Sequence, residues 1–219
     1  MSTQNRPIYS STEITNFYSD HLKQFGDSSK GVGWKNDMAQ TIRFSQLAKV
    51  FESADSLSIN DFGCGTGEFY TYMLSQGLKG IRYYGFDILD EMVNIAKKKL
   101  SSYENASVNK IESPSDMTFA DYSVASGVFN VKYEIEDSEW LKHILETLEI
   151  LYSKSRLGFS SNFLTIYSDK EYMQSYLYYA DPLFIFDYCK KNFSKNVALL
   201  HDYGQYDFTL IVRRDNVLK

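Results

Sequence analysis

The stretch Asp61-Phe62-Gly63-Cys64-Gly65-Thr66-Gly67-Glu68 lies between a strand pattern at residues 57–62 and a helix pattern at residues 67–76. Its glycines let the backbone approach a ligand where a Cβ atom would collide, and the helix that follows presents unpaired N–H groups. Asp87 ends the next strand pattern, 20 residues after Gly67. A carboxylate at that place can accept hydrogen bonds from both hydroxyls of a ribose. The order of these features indicates a ligand that contains adenosine.

The spacing of the glycines disfavours a dinucleotide. A dinucleotide fingerprint needs a glycine or alanine three residues after its second glycine, and that position is Glu68, whose carboxylate would lie close to the pyrophosphate. The pattern is instead acid-x-Gly-x-Gly-x-Gly. Asp61 beside this turn suits the ammonium and carboxylate groups of an amino acid that is joined to adenosine through a sulfonium.

On this turn and Asp87, the chain resembles the class I S-adenosylmethionine-dependent methyltransferases over about residues 36–135. The resemblance implies S-adenosyl-L-methionine as the cofactor, Gly63 and Gly65 against its methionine part, and Ile88 against its adenine. It matches Asp116 and Met117 to the adenine amine only loosely, because Pro114 lengthens their turn. The alternatives are a glycine turn that binds no cofactor and an Asp87 that only ends its strand. The expected cofactor-binding residues are Asp61, Gly63, Gly65, Gly67, Asp87, Ile88, Asp116, Met117, Ser126 and Arg43.

Alternating strand and helix patterns predict an α/β fold. We expect a doubly wound, seven-stranded, mainly parallel sheet with an antiparallel last strand, preceded by a helical cap with helices at about 11–25 and 36–53. The whole chain, 1–219, is expected to form a single methyltransferase domain. Its expected parts are a cap at 1–54, a cofactor-binding half at 55–156, and a substrate-side half at 157–219 with a lid at about 167–182.

The expected lid is rich in tyrosine. Six tyrosines occur from Tyr167 to Tyr188, and a tyrosine offers apolar area together with a hydroxyl. Such rings suit a cover over a polar small molecule, although they could equally pad a helix against the cap. The expected substrate-contacting residues are Trp34, Phe129, Tyr178, Asp181 and Tyr203.

Three residues are expected to act in catalysis: His201, Asn130 and Tyr179. His201 follows the sixth strand and is the candidate base, with a structural or solvated histidine as the alternative. His143 falls off the apolar stripe of its helix and is expected to be solvated. Arg43 is expected to clamp a carboxylate of cofactor or substrate, and a salt bridge on the helix surface is the alternative. The sequence shows no spacing typical of a metal site.

Composition narrows the classes of function. The formal net charge is −5, with 23 basic and 28 acidic residues, which disfavours a nucleic-acid partner. No apolar stretch approaches the roughly 20 residues of a membrane-spanning helix. The N-terminus lacks the apolar core of a signal peptide, so we expect a cytoplasmic protein. The two cysteines, Cys64 and Cys189, form no disulfide framework.

A small-molecule methyl acceptor that reacts at oxygen, such as a sugar or a secondary-metabolite intermediate, is the expected substrate. Asn130 is followed by Val131 rather than by proline, which departs from the turn of enzymes that methylate planar nitrogens. The alternatives are a non-catalytic module that binds the cofactor and a partner, and a methyltransferase acting on protein or RNA. The oligomeric state stays open.

Overall fold

A computed structural model describes residues 11–52 and 56–215. Within these ranges the helices are α1 (Thr12–Phe25), α2 (Asp37–Leu47), α3 (Glu68–Ser75), α4 (Asp90–Leu100), α5 (Asp137–Ser153) and α6 (Pro182–Asn192). The strands are β1 (Ser58–Phe62), β2 (Arg82–Asp87), β3 (Ala106–Lys110), β4 (Ala120–Ala125), β5 (Ser155–Leu164), β6 (Asn196–Leu200) and β7 (Asp207–Arg213). The predicted boundary between residues 54 and 55 lies outside the described residues.

The seven described strands form one sheet in the order β3-β2-β1-β4-β5-β7-β6. Strand β7 runs antiparallel to β5 and β6, and the other neighbouring pairs are parallel. The predicted fold class is therefore confirmed. The chain order reverses between β1 and β4, and in open parallel sheets a crevice for ligands forms at such a switch point, beyond the carboxyl ends of the strands.

Apolar side chains bury both faces of the sheet. On one face α5 packs its buried Trp140 and Ile144 against Phe159. On the other face Leu47 of α2 and Met73 of α3 pack in a second cluster. The central strand β1 is buried along its whole length, as is typical of a parallel strand covered by helices on both sides.

Local hydrogen bonds explain where the two helices of the cap begin and where α2 ends. The Ser11 hydroxyl accepts a hydrogen bond from Ile14 N, and Asn36 caps α2 by accepting from Ala39 N at 2.8 Å. The predicted second helix, 36–53, is too long: α2 ends at Leu47 and a 3-10 turn follows at Ala48–Val50. A longer helix would use the carbonyl of Leu47 as an acceptor within the helix. That carbonyl instead accepts a hydrogen bond from Ser160 Oγ of the sheet, at 2.9 Å. Residue 53 lies outside the described ranges.

Residues 165–181, which we call the strap, cross the end of the sheet where the lid was predicted. Two isolated bridges hold the strap, one between Thr165 and Ala180 and one between Val131 and Leu177. The strap contains a 3-10 turn at Lys170–Tyr172 and leads directly into α6. Across residues 11–52 and 56–215, we find no helix with the length and apolar character needed to cross a bilayer.

Candidate active site

A cavity of about 890 Å³ lies at the switch point, beyond the carboxyl ends of β1, β2 and β4. Small-molecule sites commonly have volumes of about 300–1,000 Å³. The cap, the glycine turn, the turn after β4, helix α5 and the strap all contribute to its wall. Residues that line the cavity include Phe17, Tyr18, Trp34, Arg43, Asp61, Gly63, Gly65, Asp87, Ile88, Ser126, Asn130, Trp140, His143, Tyr176, His201 and Asp207.

The glycine turn is held in place by the neighbouring strand. Gly63 N and Cys64 N both donate hydrogen bonds to Phe86 O, at 2.8 and 3.0 Å. Gly63 has a φ of +71°, and a Cβ atom there would lie 2.3 Å from Cγ1 of Val128. Glycine is required at this position for both reasons, because the backbone is left-handed and the turn after β4 approaches it closely.

Asp87 fixes the same turn from the end of β2. Its Oδ2 accepts a hydrogen bond from Gly65 N at 2.9 Å, and its Oδ1 accepts one from Leu89 N at 3.0 Å. Burial raises the pKa of this carboxyl, while the backbone N–H groups that it accepts from lower the pKa. Each carboxylate oxygen keeps a further lone pair. Asp87 can therefore accept two hydroxyl groups of a ligand without releasing the turn.

Asp61 is buried at the end of β1. Burial raises its pKa to about 7, the hydrogen bond donated by Tyr83 at 2.7 Å lowers the pKa, and the charge of Asp87 raises it. A carboxyl with this pKa is divided between its neutral and charged forms near neutral pH. A ligand ammonium placed beside Asp61 would favour the charged form.

Two polar atoms after β4 lack partners. Ser126 Oγ and Asn130 Oδ1 are buried in the cavity wall, and neither has a hydrogen-bond partner in the described part of the chain. A buried polar atom without a partner costs about 1–3 kcal/mol, which makes these two side chains candidates for a hydrogen bond to a ligand. Together with Asp61, Asp87 and the glycine turn, these atoms fit an amino acid joined to adenosine.

The far side of the cavity is aromatic and contains a histidine that the sequence analysis misplaced. His143 is 6% exposed, so the prediction of a solvated residue is wrong. Its ring lies 5.1 Å from that of Trp140, and burial lowers its pKa to about 4, which keeps it neutral at pH 7. The buried face of α5 is wider than its apolar stripe suggested, since it also includes His143 and Thr147. His143 follows Trp140 by three residues and therefore lies on the same face of the helix, which is the sequence signal that could have predicted its burial.

Arg43 lines the cavity but is already engaged. Its Nε and Nη2 donate to the two oxygens of Asp207, and its Nη1 donates to Ala39 O at 2.8 Å. Both side chains of the ion pair are buried, which differs from a salt bridge on the helix surface. Three of its five N–H groups are used by the protein itself.

The structure brings part of the predicted site together. The predicted residues at the cavity are Trp34, Arg43, Asp61, Gly63, Gly65, Asp87, Ile88, Ser126, Asn130 and His201. His201 is exposed at the surface, with its ring 6.0 Å from that of Tyr167. Tyr176 and Leu177 of the strap line the cavity although the sequence analysis did not select them.

The two residues matched to the adenine amine lie elsewhere, whereas Ile88 lines the cavity. Asp116 accepts hydrogen bonds from the N–H groups of Glu112 and Ser113 and so caps a 3-10 turn. Met117 is buried in the core. Gly67 also stays outside the cavity wall and packs against Leu100 of α4, to which a Cβ atom would lie 3.1 Å away.

Three residues of the predicted lid were expected at the site and do not line the cavity: Tyr178 and Asp181 as substrate contacts, and Tyr179 in catalysis. Tyr179 Oη accepts a hydrogen bond from Gln174 N within the strap, and Asp181 caps α6 by accepting from Leu183 N. Tyr178 packs against the core cluster beneath α5, and Phe129 stacks on Phe163 in the same cluster.

Tyr203 is the remaining predicted substrate residue. Its hydroxyl lies 3.1 Å from Thr209 Oγ1, so it forms a hydrogen bond with a side chain of β7. None of the five side chains Tyr178, Tyr179, Asp181, Phe129 and Tyr203 lines the cavity among the residues that the structure describes.

Comparisons with known proteins agree with this geometry. Residues 60–150 match the model of a family described as "Methyltransferase domain". Rv1506c of Mycobacterium tuberculosis, a methyltransferase by name, is 48% identical over 169 residues, which cover 76% of this chain and 98% of that protein.

Two solved structures share the fold at low sequence identity. Magnesium protoporphyrin IX methyltransferase from Synechocystis PCC 6803, with bound S-adenosylhomocysteine, has a TM-score of 0.62 and 17% identity, over 93% of this chain and 99% of that one. The N-methyltransferase NodS from Bradyrhizobium japonicum WM9, also in complex with S-adenosylhomocysteine, has a TM-score of 0.64 and 11% identity, over 92% and 98%.

Proposed function

The chain belongs to the class I S-adenosylmethionine-dependent methyltransferases, and from this premise we propose that it methylates a small molecule at an oxygen atom. It is an enzyme, and S-adenosylmethionine is its cofactor. The proposed acceptor is a hydroxylated molecule, such as a sugar or a secondary-metabolite intermediate. In this proposal residues 1–219 act as one methyltransferase domain.

The enclosure of the cavity is the observation that carries the proposal. The ring of Phe17 on α1 lies 6.1 Å from that of Tyr176 on the strap and 6.3 Å from that of Tyr133. The cap and the strap thus meet over the aromatic side of the cavity. A small molecule fits such a space, whereas a segment of protein or RNA needs an open groove.

The residues at the glycine turn are proposed to hold the cofactor. Asp87 would accept the ribose hydroxyls, Ile88 would pack against adenine, and Asp61 would lie beside the ammonium. The two further N–H groups of Arg43 could bind the carboxylate. The cofactor supplies a methyl group that its sulfonium already activates. The main task of the protein is therefore orientation, which contributes about 7–11 kcal/mol in favourable systems.

An oxygen acceptor needs a group that takes its proton, because a hydroxyl is protonated at neutral pH. His201 at the cavity mouth is proposed as this base. Asn130 Oδ1, which lacks a donor among the described residues, is proposed to accept the hydrogen bond that orients the acceptor. The buried aromatic wall with the neutral His143 supports an acceptor that carries no negative charge.

The test is the release of S-adenosylhomocysteine by the purified protein. It is offered phenols, sugars, small amines, denatured protein and RNA, each with S-adenosylmethionine. We expect turnover with a hydroxylated small molecule, which Asn130→Ala and His201→Ala abolish without weakening the binding of S-adenosylhomocysteine. Asn192→Ala, on the exposed end of α6, is the matched control.

Three results would contradict the proposal. Methylation of amines alone would exclude the oxygen acceptor, and methylation of protein or RNA alone would exclude the small molecule. Tight cofactor binding without turnover on any hydroxylated compound would contradict the proposed class of acceptor.

A further inference from the structure

A closed circuit of contacts joins the cap to the sheet beside the cavity. Asp207, at the start of β7, is fully buried. Its two oxygens accept hydrogen bonds from Nε and Nη2 of Arg43, the second at 3.0 Å. Its Oδ2 also accepts from Asn162 Nδ2 at 3.2 Å. Asn162 Oδ1 in turn accepts from Gly127 N at 2.9 Å. This half of the circuit therefore links α2 to the turn after β4.

The second half of the circuit passes through Trp34. The guanidinium carbon of Arg43 lies 4.4 Å from the centroid of the Trp34 ring. The same ring packs on Gly127, where a Cβ atom would lie 2.6 Å from Cζ2 of Trp34. Gly127 has a φ of +73°, so both its conformation and this close approach require glycine. Arg43, Asp207, Asn162, Gly127 and Trp34 thus form a ring of contacts.

Stability alone is a poor explanation for this buried ion pair. The cost of removing two charges from water offsets most of their attraction, and apolar residues of similar volume often serve equally well. The geometry of the circuit offers a better explanation. It ties two segments that both line the cavity, the cap loop with Trp34 and the turn at residues 126–128.

We propose that Asp207 is a positioning residue, which acts through Arg43 and Asn162 to set the distance between the cap loop and the turn after β4. Both of its oxygens are used by these partners, so it does not need to touch a ligand. The circuit thereby shapes the cavity for the cofactor. This inference depends on cofactor binding and is independent of the proposed acceptor.

The test compares variants that break the circuit while Arg43 stays in place. Asp207→Asn removes the charge that holds Arg43, and Asn162→Ala cuts the link to Gly127. Asp121→Asn is the matched control, because Asp121 is a buried carboxylate that binds Ser58 and Arg156 at the opposite end of the sheet. Binding of S-adenosylhomocysteine is measured by calorimetry, and no acceptor is needed.

Tryptophan fluorescence supplies a second readout. The chain has two tryptophans, of which Trp140 is fully buried and Trp34 is partly exposed. Quenching by acrylamide therefore reports mainly on Trp34. If the circuit holds the cap loop, its loss should expose Trp34 and increase quenching, whereas the control should leave quenching unchanged.

We expect Asp207→Asn and Asn162→Ala each to weaken binding about tenfold and to increase quenching. The double variant should bind no more weakly than the worse single variant, because both changes break one circuit. Wild-type affinity in either folded single variant, or an equal loss in Asp121→Asn, would overturn the proposal. If Asp207→Asn does not fold, Asn162→Ala decides the question by the same two readouts.

Discussion

Asp87→Ala should strongly weaken the binding of S-adenosylhomocysteine. In the free protein each oxygen of Asp87 accepts one backbone N–H and keeps one lone pair for a ribose hydroxyl. A hydrogen bond to a charged group contributes about 1.5–3 kcal/mol. Taking the lower value for each of the two ribose hydrogen bonds, the loss of binding free energy is about 3 kcal/mol, which corresponds to a rise in Kd of about 100-fold.

Calorimetric titration with S-adenosylhomocysteine measures this change, and thermal unfolding checks that the variant is folded. Asp116→Ala is the matched control, because it removes a carboxylate that also accepts two backbone N–H groups but lies outside the cavity. It should leave Kd unchanged. An Asp87→Ala protein that binds within about threefold of wild type, or an equal loss in Asp116→Ala, would refute this role of Asp87.

Three further predictions concern a glycine and two buried titratable groups. Gly127→Ala should weaken binding of S-adenosylhomocysteine and Gly77→Ala should not, although both have positive φ, because only the Cβ at Gly127 meets Trp34; equal losses would contradict this. Since the Asp61 pKa is about 7 and a cofactor ammonium favours its charged form, calorimetric affinity should rise between about pH 6 and 7.5, and Asp61→Asn should remove that rise. Burial also raises the Asp61 pKa from 3.8, so the folded protein binds that proton more tightly than the unfolded chain and loses stability as pH rises. Burial lowers the His143 pKa from 6.5 to about 4, so for this group the unfolded chain binds the proton more tightly and the folded protein gains stability as pH rises. The Asp61→Asn variant keeps only the effect of His143, so its free energy of unfolding in urea should increase as pH rises from about 4 to 6.5. The His143→Asn variant keeps only the effect of Asp61, so its free energy of unfolding should decrease over the same range. Identical pH profiles of the two variants would exclude these pKa shifts.

The placement of Asp61, the glycine turn and Asp87 at one cavity could be predicted because their geometry is local. The turn from Asp61 to Gly67 joins adjacent elements, and Asp87 ends the neighbouring strand, so the parallel register alone brings them together. The alternation of strands and helices likewise predicted a mainly parallel sheet covered on both faces. These features depend on spacing along the chain, which a sequence displays directly.

Contacts between distant side chains could not be predicted. Arg43 and Asp207 are 164 residues apart, and no periodic pattern links them. The strap posed a different difficulty, because it has little regular structure and its only β-type contacts among the described residues are two isolated bridges. Tyr176 lines the cavity, while Tyr179 bonds within the strap.

A crystal structure of the protein with S-adenosylhomocysteine tests the proposed site most directly. We predict that both ribose hydroxyls lie about 2.7 Å from the carboxylate of Asp87 and that the ammonium lies beside Asp61. The sulfur should face Asn130 and the enclosed aromatic space beyond it. A ligand whose sulfur faces open solvent, or whose ribose lies away from Asp87, would contradict a small-molecule site in this cavity.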